Sequence, residues 1–213
     1  RLASLPTFAG YLANLRRVRA HDHGGVVLVD GGDMFQGTLE SNLNEGAAVI
    51  RAYNALHYDA ATIGNHEFDY GPVGERATPR DRGDDPRGAL RARIAEAPFP
   101  FLSANLLERA SGARAELGTT EHPVLPTVTL ERAGVRLGVI GVTTEQTLTT
   151  TIAANVADLA MRPLLDAITE HASALRATGV DLVLVAAGVL LQRLQAVRRR
   201  AGRPHGERTE VAH

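Results

Sequence analysis

Asp33 has a residue type and a sequence position that favour metal binding. It lies in a short polar segment, residues 32–37 (Gly-Asp-Met-Phe-Gln-Gly), directly after the apolar run at residues 26–29. A carboxylate beside glycine at the end of a strand can project into a cleft, and a single carboxylate can bridge two hard or borderline cations. The other interpretation is a turn aspartate that accepts hydrogen bonds from nearby backbone N–H groups. The segment alone leaves both interpretations open.

A second polar segment, residues 64–69 (Gly-Asn-His-Glu-Phe-Asp), follows the apolar run at residues 60–63. Asn65 offers a neutral carbonyl oxygen to a metal, and His66 could act as a general acid that gives a proton to a leaving alkoxide. Asp69 could hold the imidazole in one tautomer and raise its pKa. The other interpretation is a surface turn of small polar residues. A match of this length after a strand is more specific than a lone histidine.

The elements that must position these segments alternate between helices and apolar strands. We predict helices over residues 5–19, 46–56, 89–97 and 163–177, strands over residues 26–29, 60–63, 99–103 and 181–185, and a hairpin over residues 124–130 and 135–140. The strands at residues 26–29, 60–63 and 181–185 are predicted to be buried, and residues 78–88 and 106–121 to be irregular. This alternation favours a mainly parallel or mixed sheet with helices outside. Both polar segments follow strand ends, which is where such sheets hold their ligands.

Together, the two polar segments resemble the N-terminal domain of bacterial 5′-nucleotidases, which are calcineurin-like metallophosphoesterases. The resemblance includes residues 53–59 (Tyr-Asn-Ala-Leu-His-Tyr-Asp), 99–105 and 137–144, and it extends from about residue 2 to residue 187. It implies a four-layered α/β sandwich with a two-metal centre. The implied function is a phosphoester hydrolase that releases phosphate from nucleotides.

The same resemblance implies a role for each candidate residue. Asp33 falls on the bridging metal ligand and Asn65 on a ligand of the second metal. His66 falls on the histidine that contacts the scissile phosphate, and Asp69 on the aspartate that orients that histidine. Two divalent ions are therefore expected, with Mn²⁺, Zn²⁺, Mg²⁺ and Ca²⁺ left open. A nucleotide or other phosphate ester is the expected substrate, and a periplasmic or extracellular location is implied.

The sequence departs from the family pattern at both ends. The family opens with an Asp-x-His pair on a first strand, whereas this sequence opens on the helix that should follow that strand. Residues 21–23 (His-Asp-His) have the wrong spacing, and we expect a solvated turn there. The family also carries a metal-binding histidine after the strand at residues 181–185, where this sequence reads Ala-Ala-Gly (residues 186–188). We therefore expect residues 1–187 to form a domain incomplete at both ends, with weak metal binding and little activity alone.

Residues 188–213 are unlike the rest of the chain, because they contain six arginines and no aspartate. We interpret them as the product of a frameshift or gene break near Ala187. A disordered charged end and a basic tail that binds an anionic partner are the alternatives.

The composition limits the possible partners. The net charge of −1 argues against a nucleic-acid surface, and the absence of cysteine leaves oxygen and imidazole as metal ligands. No apolar run reaches the ~18 residues of a membrane span, and no signal peptide is visible. A cyclic-nucleotide phosphodiesterase, a nucleotide-sugar hydrolase and a catalytically inactive binding module on the same scaffold remain alternative functions, and the oligomeric state is open.

Overall fold

Helices and strands alternate along residues 4–188, which are the residues that the computed structural model describes. Of the predicted tail at residues 188–213, all but the first residue lies outside the described residues. The helices are α1 (Leu5–His21), α2 (Leu39–Asn42), α3 (Ala47–Leu56), α4 (Gly88–Glu96), α5 (Thr147–Thr150), α6 (Ala153–Val156) and α7 (Leu164–Ala177), with a 3₁₀ turn at His66–Phe68. The strands are β1 (Val29–Asp30), β2 (Ala60–Thr62), β3 (Phe101–Leu102), β4 (Leu106–Glu108), β5 (Thr127–Arg132), β6 (Val135–Val142), β7 (Leu159–Met161) and β8 (Leu182–Ala187).

The described strands form two three-stranded sheets and one antiparallel pair. The first sheet has the order β1-β2-β3 and is parallel throughout, with Val29 opposite Ala60 and Ala61 opposite Phe101. The second has the order β5-β6-β8, in which the predicted hairpin β5-β6 is antiparallel and β6-β8 is parallel. β4 pairs with β7. The predicted mixed α/β architecture is therefore confirmed.

Three apolar clusters show how the layers stack. One cluster packs α3 and α4 on the outer face of the first sheet and contains Ile50 and Phe101. A second joins residues of both sheets, including Leu102 and Val139. A third packs α7 on the second sheet around Ile140. The order helix, sheet, sheet, helix is the predicted four-layered sandwich, and burial of these apolar faces is its main driving force.

Two strands that were predicted to be buried are only partly covered. β1 is shorter than the predicted run at residues 26–29, which are half-buried. β8 leaves Leu182 59% and Val185 38% exposed. Within the described part of the chain, each of these strands lies at an edge of its sheet and has one paired neighbour, so the prediction of full burial was wrong. β2 lies centrally and is fully buried, as predicted.

The predicted irregular stretch at residues 106–121 begins with a strand, β4, whose partner β7 lies far along the sequence. A pairing of this kind leaves little local signal, because a three-residue strand is too short for its alternation to be recognised. The four predicted helices are confirmed as α1, α3, α4 and α7, with ends displaced by no more than two residues. Among the residues described, no helix is long and apolar enough to span a bilayer.

Candidate active site

The loops after β1 and β2 meet because glycine allows their backbones to approach closely. A Cβ atom on Gly32 would lie 2.7 Å from the backbone nitrogen of Gly64, closer than side chains pack. Gly32 has φ of +101°, and the next residue, Asp33, has φ of +65°. A left-handed conformation is unusual for a residue other than glycine and is maintained only where its surroundings fix it. The sequence pattern therefore brings the two predicted site segments into contact.

Asp33 is fixed by the backbone of the second loop. Its Oδ1 atom accepts hydrogen bonds from the N–H groups of Asn65 at 2.8 Å and His66 at 3.1 Å. Within residues 4–188, no hydrogen bond is made to Asp33 Oδ2 or to the side-chain amide of Asn65, and both residues are half-buried. Asp33 therefore acts as a backbone-binding turn aspartate through one oxygen and still has a second oxygen for a ligand.

Glu67 makes the reciprocal contact and was not singled out by the sequence analysis. This side chain is 1% exposed, and its Oε2 atom accepts from the N–H groups of Gly64 at 2.6 Å and Asp33 at 2.9 Å. Its Oε1 atom accepts from the N–H of Met34 at 2.8 Å. Burial raises the pKa of Glu67 to about 7, against the opposing effect of these N–H donors. We call Asp33, Glu67 and their five backbone hydrogen bonds the loop clasp.

Two further polar side chains, those of Asp30 and Thr143, hydrogen-bond to backbone next to the loop clasp. Asp30, the last residue of β1, accepts hydrogen bonds from Gly32 N–H at 2.7 Å and from Tyr53 Oη at 2.6 Å. Burial raises the pKa of Asp30. On the other side, the buried Thr143 hydroxyl donates to the Ile63 carbonyl at 2.8 Å. These bonds fix the last residues before each loop. The partners Tyr53 and Thr143 lie too far along the sequence for their contacts to be predicted from it.

His66 and Asp69 form the hydrogen-bonded pair that their spacing suggested. Nδ1 of His66 lies 2.6 Å from Oδ2 of Asp69. The hydrogen bond with Asp69 is the main reason that the pKa of His66 is raised. Because a carboxylate only accepts, the neutral ring carries its proton on Nδ1 and leaves Nε2 unprotonated. The imidazole is 40% exposed while Asp69 is 15% exposed, so the ring is open to solvent and its partner is largely enclosed.

The end of β8 reaches the same place but carries small residues. A Cβ atom on Gly31 would lie 3.3 Å from the carbonyl oxygen of Ala187, and one on Gly188 would lie 3.5 Å from Asp33 Oδ2. Residues 186–188 therefore pass beside Asp33 without a ligating side chain. Residues 21–23 lie at the end of α1 and in the following turn, and they are exposed, as expected.

The donors in the described residues do not fit a two-metal centre. Asp33 Oδ2 and the amide oxygen of Asn65 are two oxygen donors, whereas a pair of cations needs several ligands each. Among residues 4–188, no group of three or more His, Cys, Asp or Glu side chains is placed to hold an ion. The chemistry that can be derived from these residues is therefore that of the His66–Asp69 pair.

Known proteins with similar sequences and structures include 5′-nucleotidases, although no protein-family model matches the chain. The snake venom 5′-nucleotidase of Crotalus adamanteus is 32% identical over 171 residues, which are 80% of this chain and 25% of that protein. A 5′-nucleotidase precursor from Thermus thermophilus superposes with a TM-score of 0.58 at 28% identity, over 81% of this chain and 30% of that one. The calcineurin-like phosphoesterase YfkN from Bacillus subtilis gives a TM-score of 0.65 at 22% identity, over 87% and 53%.

The described residues thus have the fold of the calcineurin-like phosphoesterases. By sequence, the chain matches the N-terminal part of 5′-nucleotidases, which confirms the predicted resemblance. The chain spans about a quarter of the length of the curated relatives that it matches first.

Proposed function

We propose that the protein is a phosphoester hydrolase of the 5′-nucleotidase type, in which His66 contacts the scissile phosphate and protonates the leaving oxygen. The observation that supports this proposal best is the 2.6 Å contact between His66 Nδ1 and Asp69 Oδ2. It fixes the ring, raises its pKa and leaves Nε2 free to exchange a proton with a substrate. A raised pKa keeps a larger fraction of the imidazole protonated near neutral pH, as a general acid requires.

Asp33 and Asn65 are the proposed metal ligands in this function. The free Oδ2 atom of Asp33 and the unpaired amide of Asn65 support these roles, since hard cations prefer oxygen ligands. The family resemblance implies two divalent ions, which would need ligands beyond those of residues 4–188. We therefore propose that the isolated 213-residue chain binds Mn²⁺ weakly, and that it turns over little substrate.

A nucleoside monophosphate is the proposed substrate, because the similar proteins are named as 5′-nucleotidases. One of them is a venom protein, which supports an exported location for this protein as well. The second candidate function is a binding module without catalysis. The small residues at the end of β8 and directly after it, Ala187 and Gly188, favour it, because they place no ligand beside Asp33.

Phosphate release by the complete product of the gene that encodes this chain tests the proposal. We expect Mn²⁺-dependent release from AMP that exceeds release from a cyclic nucleotide or UDP-glucose. His66→Ala should lower kcat by about 10²–10⁴-fold, the usual contribution of a positioned proton donor. His122→Ala, which changes an exposed histidine away from the loops, is the control and should leave kcat unchanged. Binding of AMP without any hydrolysis would instead support the binding module.

A further inference from the structure

Thr151 completes the set of contacts on the Asp69 carboxylate. Its Oγ1 atom donates a hydrogen bond to Asp69 Oδ1 at 2.9 Å, while Asp69 Oδ2 lies 2.6 Å from His66 Nδ1. Both carboxylate oxygens are therefore engaged, each by a different residue. The terminal torsion of an aspartate has a broad energy minimum, so one partner alone does not determine the plane of the carboxylate. A second partner on the other oxygen restricts that plane.

The segment that carries Thr151 is anchored on both sides. Asn155 is fully buried, and its Nδ2 atom donates to the carbonyls of Phe68 at 2.7 Å and Ala77 at 2.9 Å. Phe68 immediately precedes Asp69, so the segment is attached to the backbone beside the residue that it contacts. Thr147, also fully buried, shares a hydrogen bond of 3.0 Å with Thr144. Thr151 lies between Thr147 and Asn155 in the sequence, and the hydrogen bonds of those two residues do not involve the Thr151 hydroxyl.

The two threonines that precede Thr151 do not make a comparable contact with Asp69. Thr149 and Thr150 donate instead to the carbonyl of Gln146, a bond within the same short helical segment. Such local bonds are common for threonine in helical turns. Thr151 differs because its acceptor lies 82 residues away and belongs to the candidate catalytic pair.

We propose that Thr151 is a positioning residue, which fixes the Asp69 carboxylate so that this carboxylate holds the Nδ1–H tautomer of His66 and presents Nε2 to the phosphate ester. The functional part of this inference rests on the proposed role of His66, and the structural part does not. Thr151 acts through Asp69 and does not touch the reacting atoms. Its loss should therefore change the orientation and tautomer of His66 without unfolding the domain.

The variants Thr151→Val, Thr151→Ser and Thr150→Val separate the hydroxyl contact from packing. Valine keeps the branched shape and removes the donor, serine keeps the donor, and Thr150→Val removes an exposed hydroxyl of the same segment. Long-range ¹H–¹⁵N spectra of the imidazoles report the tautomer directly in the purified 213-residue chain. They would be recorded about 3 pH units above the ordinary histidine pKa of about 6.5, where the ring is neutral. The His66 signals are identified by their loss in His66→Gln.

We expect the ratio of the Nδ1–H to the Nε2–H tautomer of His66 to fall by about 2- to 10-fold in Thr151→Val, the range that one hydrogen bond normally contributes. Thr151→Ser and Thr150→Val should keep the wild-type ratio. An unchanged ratio in folded Thr151→Val would overturn the proposal. This readout needs neither metal nor turnover, so it remains decisive if the complete protein proves inactive.

Two substrates test the functional part in the complete gene product. AMP needs a proton on its leaving alkoxide, whereas p-nitrophenolate leaves without one. Thr151→Val should therefore lower kcat for AMP at least about 5-fold more than for p-nitrophenyl phosphate. Equal losses on both substrates would mean a general structural defect and would overturn the positioning role. If the wild type hydrolyses neither substrate, the proposed function is wrong. The tautomer ratio then tests by itself whether Thr151 fixes the Asp69 carboxylate.

Discussion

Replacing Glu67 with glutamine removes one acceptor oxygen from the loop clasp and puts an N–H donor in its place. In the wild type, Oε2 accepts from two backbone N–H groups and Oε1 accepts from one. The glutamine oxygen should take the position that serves two donors, so the new amide nitrogen faces the N–H of Met34. One buried backbone donor is then left without an acceptor, which typically costs about 1–3 kcal/mol.

We therefore expect Glu67→Gln to lower the free energy of unfolding by about 1–3 kcal/mol, a large share of the roughly 5–15 kcal/mol of an ordinary domain. Glu67→Ala leaves all three donors unsatisfied and should lower it by about 3 kcal/mol or more. Urea denaturation of the purified chain at about pH 8, above the pKa of about 7 to which burial raises Glu67, measures both values. Glu75→Gln is the matched control, because Glu75 is exposed and has no hydrogen bond or ion pair within residues 4–188.

The result that would refute this reasoning is a Glu67→Gln protein as stable as Glu75→Gln. Such a result would mean that the buried group is a neutral acid even at that pH, since glutamine closely imitates a protonated glutamate. Amide exchange gives an independent check, because the Met34 N–H should exchange faster in Glu67→Gln while distant amides keep their protection. Unchanged protection at Met34 would lead to the same conclusion.

Two further predictions concern other contacts of the fold. Gly64→Ala places a Cβ atom against the carboxylate and the backbone nitrogen of Asp33. Overpacking of this kind should lower the free energy of unfolding, measured by urea denaturation, by about 1–3 kcal/mol. The control Gly83→Ala has open space around the new Cβ atom and should change that free energy by less than about 0.5 kcal/mol. The hydrogen bonds from Arg87 lower the pKa of Asp158 below its ordinary value of 3.8, so their stabilisation is present above that pH and is lost as the pH falls through the lowered pKa. Acid titration should therefore show a smaller loss of stability below that pH for Asp158→Asn than for the wild type, and equal losses would contradict this account.

The sequence predicts those parts of the fold whose signals are local. The spacing of apolar residues locates α1, α3, α4 and α7, and the apolar run of β2 gives both its position and its burial. The glycines and polar residues after β1 and β2 locate both loops of the candidate site, because ligands of α/β sheets bind beyond the carboxyl ends of the strands. The i,i+3 spacing of His66 and Asp69 likewise suggests their contact, which a single helical turn can make.

The contacts that hold those loops together could not be predicted, because each depends on partners far apart in the chain. Glu67 lies inside the predicted segment, yet its carboxylate accepts hydrogen bonds from the N–H groups of Asp33 and Met34, more than thirty residues earlier in the chain. Thr151 is the third of three identical residues, and sequence gives no reason to prefer it to Thr149. The incomplete burial of β1 and β8 has the same origin, since an apolar run does not reveal how many neighbouring strands it pairs with.

The loop clasp also explains why the His66–Asp69 pair can be formed without a complete metal centre. All five hydrogen bonds of the clasp run from backbone N–H groups to carboxylates of the same chain, so no external ion is needed to close it. It does bring two acidic groups together, and the charge of Asp33 contributes to the raised pKa of Glu67. A cation bound at Asp33 would reduce that repulsion, and it would stabilise the folded state by an amount that grows with the logarithm of its affinity. Metal binding and the orientation of His66 are therefore separable in this domain: the first depends on side-chain ligands, and the second on backbone donors and Thr151. For this reason the tautomer of His66 should be the same in metal-free and Mn²⁺-treated protein, even where turnover differs.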